Sequence, residues 1–191
     1  MNMIIRPRSL GRSRTCDIAF QFRAGAGFPG DVSRGHPASI QPCIIDVNAP
    51  PTQYGQPVVV DSVTQGVRPI VAGDSALTDI WGVLVRPYPF QQSTTSNSYG
   101  AVPIGQAGVA KLQPVDVLTG GYILVAVNSA TAASALKGGP VFIWYGATAG
   151  GHVLGGFEGA TGATVLTLST GRYKWNSPVD ASGYAELMIN F

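Results

Sequence analysis

The stretch YILVAVN, residues 122–128, decides the fold. Alternation places Tyr122, Leu124 and Ala126 on one side and Ile123, Val125 and Val127 on the other. Both sets are apolar, so the run reads as a β-strand covered on both faces. Similar runs lie on either side of it. They are CIIDV (43–47), PVVVDSV (57–63), DIWGVLVRPY (79–88), VDVLT (115–119), PVFIWYG (140–146), HVLGGFE (152–158), TVLTL (164–168), GRYKW (171–175) and AELMINF (185–191). All are short, rich in Val, Ile, Thr and aromatics, and bounded by Gly, Pro, Asn or Asp. In TVLTLS the apolar and polar residues alternate, which predicts one wet face. No apolar stripe of helical period has useful length. SATAASALKGG (129–139) offers one or two helical turns or a polar loop, and residues 91–109 read as a long surface loop. Turn signals recur at the spacing of an all-β protein. The predicted fold is a single β-sandwich or barrel of jelly-roll-like type with an extended N-terminal arm. The arm covers residues 1–18 and the β-rich domain residues 19–191.

A competing fold is written into FRAGAGFPGDVSRGH, residues 22–36. Gly25-Ala26-Gly27-Phe28-Pro29-Gly30 spells G-x-G-x-x-G, which cradles a pyrophosphate when a strand precedes it and a helix follows. AFQF (19–22) supplies the strand. The helix fails: Pro29 biases Phe28 away from helical angles, and Gly35, Pro37 and Pro42 interrupt whatever follows. The glycines therefore read as turns or close backbone approaches.

Composition narrows the function. The 191 residues suffice for one full core. Charged residues are only 12% of the chain, half of ordinary usage, so much of the surface is Ser, Thr, Gln, Asn and Gly or is covered by protein. The charge is also lopsided. Residues 1–34 hold six arginines against two aspartates, a net of +4, and the remainder holds six basic and eight acidic groups, a net of −2. Cys16 and Cys43 lack metal spacing and read as ordinary thiols, with a bridge between them as the alternative. No apolar run reaches membrane-spanning length. The first fifteen residues lack the apolar segment of a secretory signal.

Chemistry is sparse. His36 lies in a Gly/Pro turn and His152 at a strand start, and the ten acidic residues fall singly at turns and strand ends. No metal-binding, nucleotide-binding or nucleophile motif appears, so the chain is expected to be no enzyme and to need no cofactor or metal. The arginines of the arm could neutralise phosphates, but no aromatics are interleaved for stacking. Arginine also anchors protein contacts. Arg6, Arg8, Arg12, Arg14, Arg23 and Arg34, with Phe28, are therefore the candidate protein-contacting residues, and direct nucleic-acid contact is not expected.

Several long stretches carry a family resemblance. AFQFRAGAGFPGDVSRGHPASIQPCIIDVNAPPTQYGQPVVVD (19–61), GDSALTDIWGVLVRPYPFQQ (73–92), VDVLTGGYILVAVN (115–128) and KGGPVFIWY with GGHVLGGFE (137–158) resemble the tailed-phage capsid cement, or decoration, proteins. Residues 1–18 precede the part that carries the likeness. The resemblance implies a β-rich protein on the outer capsid surface of the virion, made in the host cytoplasm. Its implied partners are the major capsid protein and other copies of itself, as a dimer or trimer. Its implied work is bridging capsid subunits against the pressure of packaged DNA. On that reading the 24–42 segment is an extended element approaching the capsid or a sister subunit, with an internal loop as the alternative.

A glycan- or receptor-binding β-module of a tail or spike is the second reading, and it asks for exposed aromatics. Trp81 and Trp144 sit in the most apolar runs and read as core. Trp175 and Tyr99 are the exposed candidates. A third reading, a hydrolase, asks for His36 or His152 beside an acid in a cleft.

Overall fold

The computed structural model describes residues 27–35, 37–77, 79–86 and 114–190. The predicted arm 1–18, Arg23, His36, Tyr99 and the 91–109 loop lie outside the described residues. Ten strands follow in order: β1 Ser39–Ile44, β2 Pro57–Val60, β3 Val67–Pro69, β4 Gly82–Leu84, β5 Pro114–Ala126, β6 Phe142–Trp144, β7 Phe157–Glu158, β8 Val165–Thr167, β9 Tyr173–Trp175 and β10 Tyr184–Ile189. The described residues contain no α-helix. SATAASALKGG provides one 3₁₀ turn, Ala132–Ser134, and a second lies at Asp74–Ala76. The chain is an all-β sandwich.

β5 organises it. Leu118 pairs with Ile40 of β1 and with Val83 of β4, so these two strands flank its first half. Ile123 pairs with Leu187 of β10 and bridges to Val32, so β10 and the 30–33 segment flank its second half. VDVLT and YILVAVN, separate runs in the sequence reading, are thus one strand of thirteen residues. The strand survives Gly120-Gly121 because Gly121 adopts φ +124, a conformation open to glycine, where a Cβ would lie 2.8 Å from the Pro37 carbonyl oxygen.

Two cores form on opposite faces of this sheet. β5 alternates between them: Val117 faces one and Leu118 the other. In the larger core, Ile123 and Val125 of β5, Leu187 of β10 and Trp175 of β9 meet Ile143, Phe157 and Leu166 of the small β7-β6-β8 sheet. This is the sandwich. In the smaller core, Ile45, Val58, Val67, Leu84 and Val117 close on one another. They do so because the larger sheet curls. Its β3-β2-β4-β5 path continues to β1, and Ile45 bridges in parallel to Val67 of β3. The Asp46 amide donates to the Val67 carbonyl at 3.0 Å, completing a five-stranded barrel around those residues.

The wet face expected of TVLTLS is present: Leu166 and Leu168 are buried, while Thr167 and Ser169 are exposed. β3, in the sequence VRP, escaped the sequence reading because three residues ending in proline give no strand pattern. HVLGG proved to be a turn, with only Phe157-Glu158 extended, because Gly151 and Gly155 take positive φ.

Candidate interaction surface

The Gly/Pro segment folds on its own body. The Gly30 amide donates to the Leu124 carbonyl at 2.8 Å, Leu124 returns a bond to the Asp31 carbonyl, and the Ser33 amide donates to the Tyr122 carbonyl. At Gly30 the φ is +92, and a Cβ would lie 2.8 Å from Tyr54 Cβ and 3.0 Å from the Gly55 nitrogen. A Cβ at Gly35 would meet open space, but the close backbone approach expected of these glycines is real at Gly30. For the described residues its partner is this same chain, which corrects the reading of an element extended toward capsid or sister subunit. Asp31 clamps the segment. Arg86 donates to both its carboxylate oxygens, at 2.6 and 2.9 Å, and lies over the Phe28 ring.

Of the candidate contact residues, Phe28 and Arg34 are described, and Arg6, Arg8, Arg12, Arg14 and Arg23 are not. Phe28 is 43% exposed. Arg34 donates through Nε and Nη2 to the buried Glu186 carboxylate and stacks over Tyr122, while much of its side chain stays open to solvent. Ser33 and Asn176 donate to the same carboxylate. Burial alone would raise the Glu186 carboxyl. The bonds from Ser33, Asn176 and Arg34 outweigh it and hold the group below the usual carboxylate range.

The tryptophans reverse the expectation. Trp175, the exposed candidate, is 1% exposed, because β9 pairs along β10 and points both Tyr173 and Trp175 into the larger core. Trp144 is half-buried and stacks on His152 with ring centroids 4.1 Å apart. Trp81, expected in the core, is 42% exposed. It stands at a bend just before β4.

Trp81 rims the open end of the barrel. With Pro42, Ile44, Val60, Gln65 and Pro114 it lines an open, largely apolar basin of about 580 Å³ that also takes in Cys43 and Val67. Val60 continues the inward-facing row begun by Val58, but here the interior has opened to solvent. Burial pushes the Cys43 thiol up, and its Sγ donates to the Gln41 carbonyl at 3.7 Å. The surroundings are acidic. Asp116 is exposed and makes no ion pair with a described residue. Asp61 and Asp74 hold Arg68 between them at 3.5 and 2.7 Å. Sequence reasoning missed this basin, because Trp81 in DIWGVLV carries the pattern of a core strand.

His152 does lie beside an acid. Its Nδ1 is 2.9 Å from Glu158 Oε1. Glu158 is fully buried and also accepts from Asn128 and Thr131, tying β7 to the 128–131 turn. Among the described residues no group of three or more His, Cys, Asp and Glu could hold a metal ion, and no helix is long and apolar enough to cross a membrane.

Comparison with known proteins adds the remaining facts. A family model described as XM1 gp53 minor capsid protein matches residues 18–189. Among solved structures, a chain from the capsid of Myoviridae phage XM1 shares the fold with a TM-score of 0.55 at 18% identity. The match covers 86% of this chain and 90% of that one. No curated protein matches the chain.

Proposed function

This chain belongs to the XM1 gp53 minor capsid protein family, and from that premise we propose that it is a structural protein of a bacteriophage virion. In this reading it decorates the outer capsid surface and bridges neighbouring major capsid protein subunits as a dimer or trimer, securing the shell against internal DNA pressure. It catalyses no reaction and takes no cofactor. The observation that carries the reading is the family match across nearly the whole β-rich domain. Physical features support it. A chain with only 12% charged residues suits a protein with much of its area in contact. The apolar open end of the barrel is a patch of the kind that marks interaction sites. Modest contacts suffice on a shell that holds many copies, since linked contacts multiply. Phe28, Arg34 and the arginines of residues 1–23 remain the proposed contact residues.

A glycan-binding module would want a shelf of exposed aromatics. Trp175 is buried, Trp144 lies on His152, and the exposed Trp81 lines a largely apolar basin that includes the Cys43 thiol. The cement reading is favoured on those grounds.

The test is co-sedimentation of the full chain with expanded, undecorated shells of its phage across a salt series, followed by a heat challenge. Saturable binding that raises the rupture temperature is the expected result. Absence of binding at every salt concentration would overturn the reading.

A further inference from the structure

The open end of the barrel and the arginine-rich sequence before the domain are chemically complementary. The barrel segments, residues 39–86 and 114–119, contain five aspartates against Arg68 and Arg86, a net of −3. Residues 1–14, MNMIIRPRSLGRSR, carry four arginines and no acid, with Met3, Ile4 and Ile5 directly before the first arginine. An apolar triplet followed by guanidinium groups matches an apolar basin beside an exposed aspartate. The triplet would cover Trp81, Ile44 and Val60, and Arg6 and Arg8 would meet Asp116. Burying that surface supplies the affinity, and the charges set the orientation.

We propose that the open end of the barrel is the socket for residues 1–14 of a second copy of this chain. Geometry favours the neighbour over the chain's own segment. The described chain starts at Gly27, close to Leu124: a Cβ added at Gly27 would lie 3.2 Å from the Leu124 side chain. Pro114, on the basin rim, lies ten residues back along β5, up to about 34 Å away. Residues 15–26 span about 40 Å when fully extended, so laying residues 1–14 across the chain's own socket would take up nearly all their slack. That ordering is costly. A neighbour held alongside meets the socket at high effective concentration instead. The proposal goes beyond decoration: it has copies tie to one another, and on a shell, if that is their setting, the ties would join separate decoration sites.

The native Cys43 in the basin makes the proposal testable on the full chain. In a Cys16→Ser background, Ile5→Cys places a thiol beside the socket of the next copy. Mild oxidation should then give interchain disulfides, seen as dimers and higher species on a non-reducing gel. They should form at least tenfold faster than in a control carrying Thr170→Cys, an exposed turn position. Adding Cys43→Ser should abolish the product. Trp81→Ala or Asp116→Lys should slow it several-fold, and so should high salt. Cross-linking no faster than the Thr170→Cys control would overturn the proposal. So would a monomer with both thiols consumed, which would show a chain filling its own socket. Shell binding is measured on the same variant. Retained binding without interchain product sinks only the socket, whereas cross-linking in a protein that ignores shells sinks only the decoration reading.

Discussion

Among the described residues Trp175 is the largest fully buried side chain, and its indole Nε1 meets no hydrogen-bond partner there. Its worth is therefore volume and its edge contact with Phe157, ring centroids 6.2 Å apart. Trp175→Ala should cost about 3–5 kcal/mol in urea unfolding. Trp175→Phe should cost clearly less, since no bond is lost; equal costs would show that the indole nitrogen is bonded after all. Glu186 is the opposite case, a buried carboxylate valued for its bonds. Its carboxyl lies below the ordinary range in the folded state, so it adds stability above the unfolded value of about 4.3. That contribution disappears as pH falls through the lower folded value. Glu186→Gln should cost about 2 kcal/mol at pH 7. The gap to wild type should narrow in calorimetry as pH drops below about 4, and a gap independent of pH would refute the assignment. Neither residue was legible in the sequence. GRYKWNSP places Trp175 beside a turn, and only the pairing of β9 with β10 turns it inward. Glu186 stands alone in AELMINF, and its partners Ser33 and Arg34 are about 150 residues away.

At the scale of elements, the 28–33 segment depends on Gly30. Gly30→Ala meets both a positive φ and the Tyr54–Gly55 backbone, so it should cost about 1–3 kcal/mol. It should also speed hydrogen exchange at the Leu124 amide, which donates to Asp31. Unchanged exchange there would mean that the segment stays docked without its close approach. The strands with strong apolar patterns, such as PVVV and YILVAV, were legible where they lie. What was not legible is which strands are continuous and which stretches are turns. Gly-Gly interrupts the pattern in VDVLTGGYILVAVN although the strand runs through it. In HVLGGFE the pattern suggests a strand where positive φ makes a turn. One-dimensional apolarity cannot separate these cases, because backbone angles at glycine are set by what packs against it.

For the whole molecule, the two cores are not two folding units. β5 contributes Val117 to the barrel and Leu118 to the sandwich, so neither core can loosen while the other holds its register. Leu84→Ala in the barrel and Leu187→Ala in the sandwich should each cost about 2–5 kcal/mol. Each should lower one shared melting temperature by about 2–4 °C per kcal/mol. Two resolved transitions, with Leu84→Ala moving only one, would contradict this coupling. The all-β class was readable from composition and turn spacing. The barrel was not, since its closure rests on a single parallel bridge between Ile45 and Val67. β5 also has a mechanical meaning. Its partners β1 and β10 on one edge, and β4 and residues 30–33 on the other, grip it along its length. A pull directed along this strand loads those backbone bonds in shear, all at once, instead of peeling them in succession. The strand therefore acts as a tension rod, stiffest along the axis that joins the open end of the barrel to the sandwich.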